Sequence, residues 1–220
     1  MWELFQKGGP AMWVLAGLSV AGLAVVVERL LVLYQARTDT EAFTARIAAA
    51  LEAQRYEEAL EIARKGGGAM ARILTAGIER IRRGRTEVEK AIEARGDLEV
   101  AKLERGLVFL QAVAKTAPLV GFFGTVSGMI KAFEAMGRAG LGDPANVALG
   151  ISEALITTAA GLAVAIPAFF CHALFVGKVN RFVMELEEGS IRFLEALEEA
   201  EERQARSLAR YEIGGEYLEI

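Results

Sequence analysis

Two stretches of this chain hold the residue types that could pass a charge through an apolar environment. The first reads Thr116-Ala117-Pro118-Leu119-Val120-Gly121-Phe122-Phe123-Gly124-Thr125-Val126-Ser127-Gly128-Met129-Ile130. Gly121, Gly124, Thr125 and Gly128 recur at i, i+3, i+4 and i+7, which puts small residues and one hydroxyl on a narrow helical face. The second begins Gly150-Ile151-Ser152-Glu153-Ala154-Leu155-Ile156-Thr157-Thr158 and continues through Gly161 to Pro167. Here a carboxylate precedes two hydroxyls in an otherwise apolar run. Hydroxyls donate and accept, so they can relay a proton, whereas a carboxylate can also store one. An ionisable group at the edge of an apolar span is costly unless it faces a cavity or a partner, which makes Glu153 a functional candidate. The plainer readings are that Glu153 is a solvated charge favoured at a helix start and that the glycine face only packs helices.

Helix geometry limits how these groups cooperate. Neighbours stand about 100° apart and every fourth residue returns to within about 40°, so Glu153 and Thr157 share a face and Thr158 looks elsewhere. If one threonine lines a path, the other bonds its own i−4 carbonyl or a neighbouring helix, and the spacing leaves open which is which. Pro118 and Pro167 are expected to kink their helices, which is tolerable where adjacent helices satisfy the freed carbonyls.

Other chemistry finds little support. Cys171 is the only cysteine, so no intramolecular disulfide and no cysteine metal cluster can form, and no metal-ligand set stands out. His172, the only histidine, reads as a helix-end polar group rather than a relay. Gly66-Gly67-Gly68 lacks the Lys-Ser/Thr and the strand of a phosphate loop. Glu195 to Glu202 reads as a solvated helix face. A net charge of −4, with arginines and glutamates interleaved, argues against nucleic acid as a partner. No cofactor, catalytic nucleophile or enzymatic activity is expected.

The elements that must carry these groups are membrane spans. The chain is 53% hydrophobic and yet 25% charged, so its apolar residues must be segregated. Gly8 to Val27 holds no charge, Gly106 to Ile130 only Lys115, and Ala154 to Gly177 none. Each run suffices to cross about 30 Å of hydrocarbon. The first is longer than a signal-peptide core and leads into Glu28-Arg29-Leu30-Leu31-Val32-Leu33-Tyr34, so a retained span is expected.

Gln35 to Arg105 carries fourteen lysines and arginines and Lys178 to Ile220 six, against only Lys7 before the first span and Lys131 and Arg138 between the second and third. With Arg29, Arg37, Lys102, Arg105, Lys178 and Arg181 close to the spans, the positive-inside rule puts the N-terminus outside and the loop and tail in the cytoplasm. The expected organisation is an N-terminal segment with span one (1–34), a cytoplasmic helical loop (35–105), span two (106–131), a periplasmic turn (132–150), span three (151–177) and a cytoplasmic helical tail (178–220).

Phe43, Ile47, Leu51 and then Met70, Ile73, Leu74, Gly77, Ile78 and Ile81 recur at helical spacing, with the glycine run as a turn between the two sets. Thr86 followed by Glu89 marks a further helix start, and no proline separates that helix from span two, so one unbroken helix is expected. Val179, Phe182, Val183, Leu186, Phe193, Leu194 and Leu197 form a stripe along the tail, with Gly189 as a weak point. That stripe serves either subunit contacts or packing on the chain's own loop helices. The fold class is all-α: a three-span polytopic membrane protein with long helices extending into the cytoplasm.

Taken together, Gly121-Phe-Phe-Gly-Thr125-Val-x-Gly128 and Gly150-Ile-Ser-Glu-Ala-Leu-x-x-Thr158-x-x-Gly161-Leu-x-x-Ala165-Ile-Pro167 resemble the MotA/TolQ/ExbB proton-channel family. The three-span layout is nearer to ExbB and TolQ than to MotA. The resemblance implies an oligomeric pore, a homopentamer in the bacterial inner membrane around a pair of single-span helices of the ExbD or TolR type. It also implies contact with membrane lipid and with a TonB- or TolA-like protein. It maps the pore hydroxyls onto Thr125 and Thr158 and the polar entrance onto Glu153. Asn146-Val147-Ala148-Leu149 departs from the pattern by lacking the proline many members place before this glycine, and the pathway energised and the choice of H+ or Na+ stay open.

The expected function is a stator-like subunit that couples proton motive force to a partner acting across the envelope. The rivals are a membrane scaffold without ion conduction and a secondary transporter, and the absence of an internal repeat argues against the latter. Between Lys115, Glu153 and His172 the spans hold no other titratable side chain, so the carboxylate that carries the proton must come from a partner.

Overall fold

The structure, a computed structural model, describes residues 2–35, 40–139 and 144–216. Arg37, residues 140–143 of the expected turn and residues 217–220 of the expected tail lie outside the described residues. The order is α1 (Trp2–Lys7), α2 (Gly9–Gln35), α3 (Thr40–Glu52), α4 (Tyr56–Lys65), α5 (Gly68–Ile78), a 3-10 turn (Ile81–Arg83), α6 (Arg85–Glu104), α7 (Leu107–Ala139) and α8 (Pro144–Glu216). Among the described residues there is no strand, and three helical stretches are long and apolar enough to cross a membrane.

The chain divides into two compact units. The span unit comprises residues 1–31 and 104–177, and the helical head comprises residues 32–103 and 178–220.

In the span unit, Leu15 of α2 is buried with Ala117 of α7 and Ala165 of α8, and Met12, Leu18, Val120, Ala160 and Val164 pack around them. The outward faces carry Trp13, Val20, Leu23, Phe122, Phe123, Phe169 and Phe170, all exposed, as membrane-crossing helices require. Pro10 sits in the first turn of α2, where its missing N–H costs nothing. Pro118 and Pro167 lie inside α7 and α8 without ending either helix.

The unbroken helix expected from Thr86 through span two is corrected. α6 stops at Glu104 and α7 starts at Leu107, because Gly106 takes a φ of +90° that a helix cannot continue. A Cβ at Gly106 would come within 3.3 Å of Nε of Arg29, which is buried and pairs with Glu28 at 2.8 Å. α6 itself starts at Arg85, and Glu89 pairs with Arg85 at 2.9 Å.

The head is built by α3 to α6 and the distal part of α8 around one core. Ile47 and Leu51, Ala59 and Ala63, Met70, Ile73, Leu74 and Ile78, Val88 and Ile92, and Leu186, Phe193 and Leu197 are its buried members. The stripe along the tail therefore packs on the loop helices of its own chain. Gly189 is corrected from a weak point to a contact: α8 runs through it, and a Cβ there would collide with Cε of Met70.

Residue order does not announce the burial of Glu99, a carboxylate on α6 with 2% exposure. Arg72 of α5 donates to it at 2.6 Å and Lys102 at 2.9 Å, and Arg95 forms an ion pair with it at 3.1 Å. Burial pushes the carboxyl up, but the hydrogen bonds and charges of Arg72 and Lys102 outweigh it and hold it at about 2, against an ordinary 4.5. Because the folded value lies below the unfolded one, the stabilisation is complete above the ordinary value and is lost as pH falls through the folded one. Glu99→Gln should therefore lower the stability of the head at neutral pH by about 3 kcal/mol. In denaturant melts of the full chain in detergent, the gap between variant and parent should close as the pH approaches about 2.

Candidate functional site: a hydroxyl pair where two helix backbones touch

Small residues decide how closely α7 and α8 approach. A Cβ added to Gly121 would lie 2.8 Å from the carbonyl oxygen of Thr157 and 3.2 Å from Cα of Gly161. At Gly128 it would lie 2.7 Å from the carbonyl oxygen of Gly150 and 2.8 Å from N of Ala154. At Gly161 it would lie 2.7 Å from the carbonyl oxygen of Ala117, and at Gly150, 2.8 Å from Cβ of Ala132. Contacts of this kind exist only where no side chain stands between the backbones. The face of Gly121, Gly124 and Gly128 is thus occupied inside the chain by span three.

That approach brings two hydroxyls together. Oγ1 of Thr125 and Oγ1 of Thr158 form a hydrogen bond across the two helices. Thr125 also reaches the carbonyl oxygen of Ala154 at 3.2 Å and that of Gly121 at 3.3 Å, and Thr158 donates across to Gly121 O at 3.3 Å. Both side chains keep partial exposure. Thr157 is placed differently. It is fully buried, its side chain lies against Gly124 where a Cβ would collide with it, and its hydroxyl bonds the carbonyls of Glu153 at 3.1 Å and Ala154 at 3.0 Å. Thr158 thus meets Thr125, and Thr157 folds back on its own helix.

Glu153 lies at the hairpin end of α7 and α8, one turn from Thr157. Its carboxylate accepts from Nζ of Lys131 at 2.5 Å, and 15% of its side chain is exposed. Lys131 as its partner was not anticipated, although both residues sit at matching ends of their spans. A cavity of about 280 Å³ adjoins the pair, lined also by Lys7, Asn146 and Ser152. Lys115 is exposed on α7, and His172 is partly exposed on α8. Among the described residues no cluster of His, Cys, Asp and Glu could hold a metal ion. What the arrangement offers is a polar seam: an ion-paired carboxylate at one end, then hydroxyls and backbone carbonyls able to exchange hydrogen bonds.

Residues 66–188 match the MotA/TolQ/ExbB proton channel family. An ExbB homologue for biopolymer transport from Methanothermobacter thermautotrophicus is 31% identical over 189 residues, covering 84% of this chain and 66% of that protein's own length. The Tol-Pal system protein TolQ of Haemophilus influenzae is 31% identical over 178 residues, 76% of this chain and 78% of its own. The biopolymer transport protein ExbB of Xanthomonas campestris is 42% identical over 97 residues, 44% of this chain and 38% of its own.

The packing makes one substitution diagnostic. Gly121→Leu should drive α7 and α8 apart and lower the detergent-solubilised protein's stability by about 3 kcal/mol or more, as overpacking of a tight contact does. Gly17→Leu on α2, where a Cβ meets nothing within 4 Å, should leave the melting temperature unchanged.

Proposed function

Since the chain belongs to the MotA/TolQ/ExbB proton channel family, we propose that it is the channel-forming, stator-like subunit of an energy-transducing complex in the bacterial inner membrane. It couples inward proton movement to work done by a partner across the envelope. The observation that carries this reading is the Thr125–Thr158 pair, two partly exposed hydroxyls on successive spans held by backbone contact in an otherwise apolar setting. Such a pair can pass a hydrogen bond along a seam but cannot hold a proton near neutral pH.

The storing group then comes from a second protein, an intramembrane carboxylate on a single-span subunit of the ExbD or TolR type. A homopentamer of this chain would surround it, and a TonB- or TolA-like protein would receive the work. In this arrangement the N-terminus is outside, the helical head is cytoplasmic, and Glu153 with Lys131 marks the outer entrance. Support for that orientation is the concentration of lysine and arginine in residues 35–105 and 178–220. The energy suffices, since one charge crossing 100 mV releases about 2.3 kcal/mol. The complex acts in transport and not as an enzyme.

Reconstituted alone, the chain should show little proton flux. Adding the single-span partner should restore it, and changing that partner's intramembrane aspartate to asparagine should remove it again. Strong current from the lone chain, abolished by Glu153→Gln, would make Glu153 the carrier; no current with the partner present would favour the scaffold. Within the conducting complex, Thr125→Val and Thr158→Val should each lower flux roughly tenfold, the kinetic equivalent of one lost hydrogen bond of ~1.4 kcal/mol. Thr157→Val should leave flux near normal and register instead as a lower melting temperature.

A further inference from the structure

The span unit holds a second polar cluster, and three elements bound it. Lys131 of α7 donates to Oε1 of Glu153 at 2.5 Å, with half of the lysine side chain exposed and only 15% of the glutamate's. The same carboxylate also lies against bare backbone. A Cβ on Gly9 would collide with Oε1 and lie 3.1 Å from Cδ. Gly9 also has a φ of +64°, a conformation that side-chain-bearing residues seldom adopt. The start of α2 therefore offers a seat that only glycine leaves open, α7 offers the cation that holds the carboxylate in it, and α8 carries the carboxylate itself.

We propose that Lys131 and Gly9 are positioning residues for Glu153, a fixed clamp that holds the carboxylate in one place on the wall of the adjoining cavity. This rests on the reading of Glu153 as the entrance to the hydroxyl seam. A loose carboxylate one turn from Thr157 would swing across the entrance, whereas one held by an ion pair gives the entrance a fixed shape. The groups facing Glu153 support the assignment. Lys131 comes from α7, Lys7 from the end of α1 lines the same cavity, and Asn146 and Ser152 of α8 are neutral. Glu134 lies one turn farther along α7 from Lys131. Of the two lysines, Lys131 makes the ion pair.

A hydrophobic carbodiimide tests the clamp without reference to ion flux, because it modifies carboxyl groups in their protonated form. The full chain in detergent is treated at neutral pH and the modification of Glu153 is followed by peptide mass spectrometry. Lys131→Met should raise the labelling rate about tenfold, the effect of removing a nearby opposite charge. Lys131→Arg should stay within about twofold of the parent, since a guanidinium also pairs with a carboxylate. Gly9→Ala, which pushes the carboxylate off its seat, should raise labelling, and Gly17→Ala should not. Equal labelling of parent and Lys131→Met, or a Lys131→Arg as reactive as Lys131→Met, would overturn the clamp. A parent complex that labels as expected but conducts nothing would instead overturn the proposed function and leave the clamp standing.

Discussion

Contact between two helix backbones is the constraint on which the span unit depends. Helices in hydrocarbon gain nothing from expelling water between them, so association comes from dispersion, and dispersion rewards the shortest approach. Gly121, Gly124 and Gly128 of α7 against Gly150, Thr157 and Gly161 of α8 permit that approach. Thr125 and Thr158 meet because the backbones meet. A side chain at any of these glycines would separate the helices and with them the hydroxyls, so packing and site are one feature.

The same contact settles which polar groups are available. Thr157 is consumed by the helix interface, its hydroxyl returned to its own carbonyls and its methyl set against Gly124. Thr158, one residue on, falls across the seam from Thr125 and keeps partial exposure. Adjacent threonines in one helix thus take opposite duties, and the difference is about 100° of rotation. Along the seam stand hydroxyls and backbone carbonyls, with Glu153 paired to Lys131 at its end.

The helical head follows a different economy. Its core is a water-excluding cluster of apolar side chains from five helices, where burial of surface supplies the main stabilisation. Among the described residues of the head one charged side chain is buried, Glu99, and it is tolerated because three cations reach it from α5 and α6. Gly77 and Gly189 serve this core as the glycines of α7 serve the seam: a Cβ at Gly77 would lie 2.9 Å from Ile92, and one at Gly189 would strike Met70.

Much of this was legible from residue order. Uncharged runs of spanning length, helical periodicity in the loop and tail, and the Gly-Thr and Glu-Thr-Thr motifs follow from local composition and spacing, because span length and helix period are properties of a single segment. Those features determined the all-helical class, the three spans, the family and the short list of polar residues. They could not assign Thr157 and Thr158, because spacing gives the angle between two side chains and not which neighbour lies at each angle. The break at Gly106 was missed because a glycine stops a helix only when its φ turns positive, and here that room is shared with Arg29. Glu99 showed its local partners Arg95 and Lys102 in the sequence, but its burial and its bond to Arg72 join residues 27 apart. The pairing of Lys131 with Glu153 spans 22 residues, and the opening at Gly9 comes from another helix altogether. Pairwise contact between distant segments is a property of packed helices, and only the tertiary structure decided it.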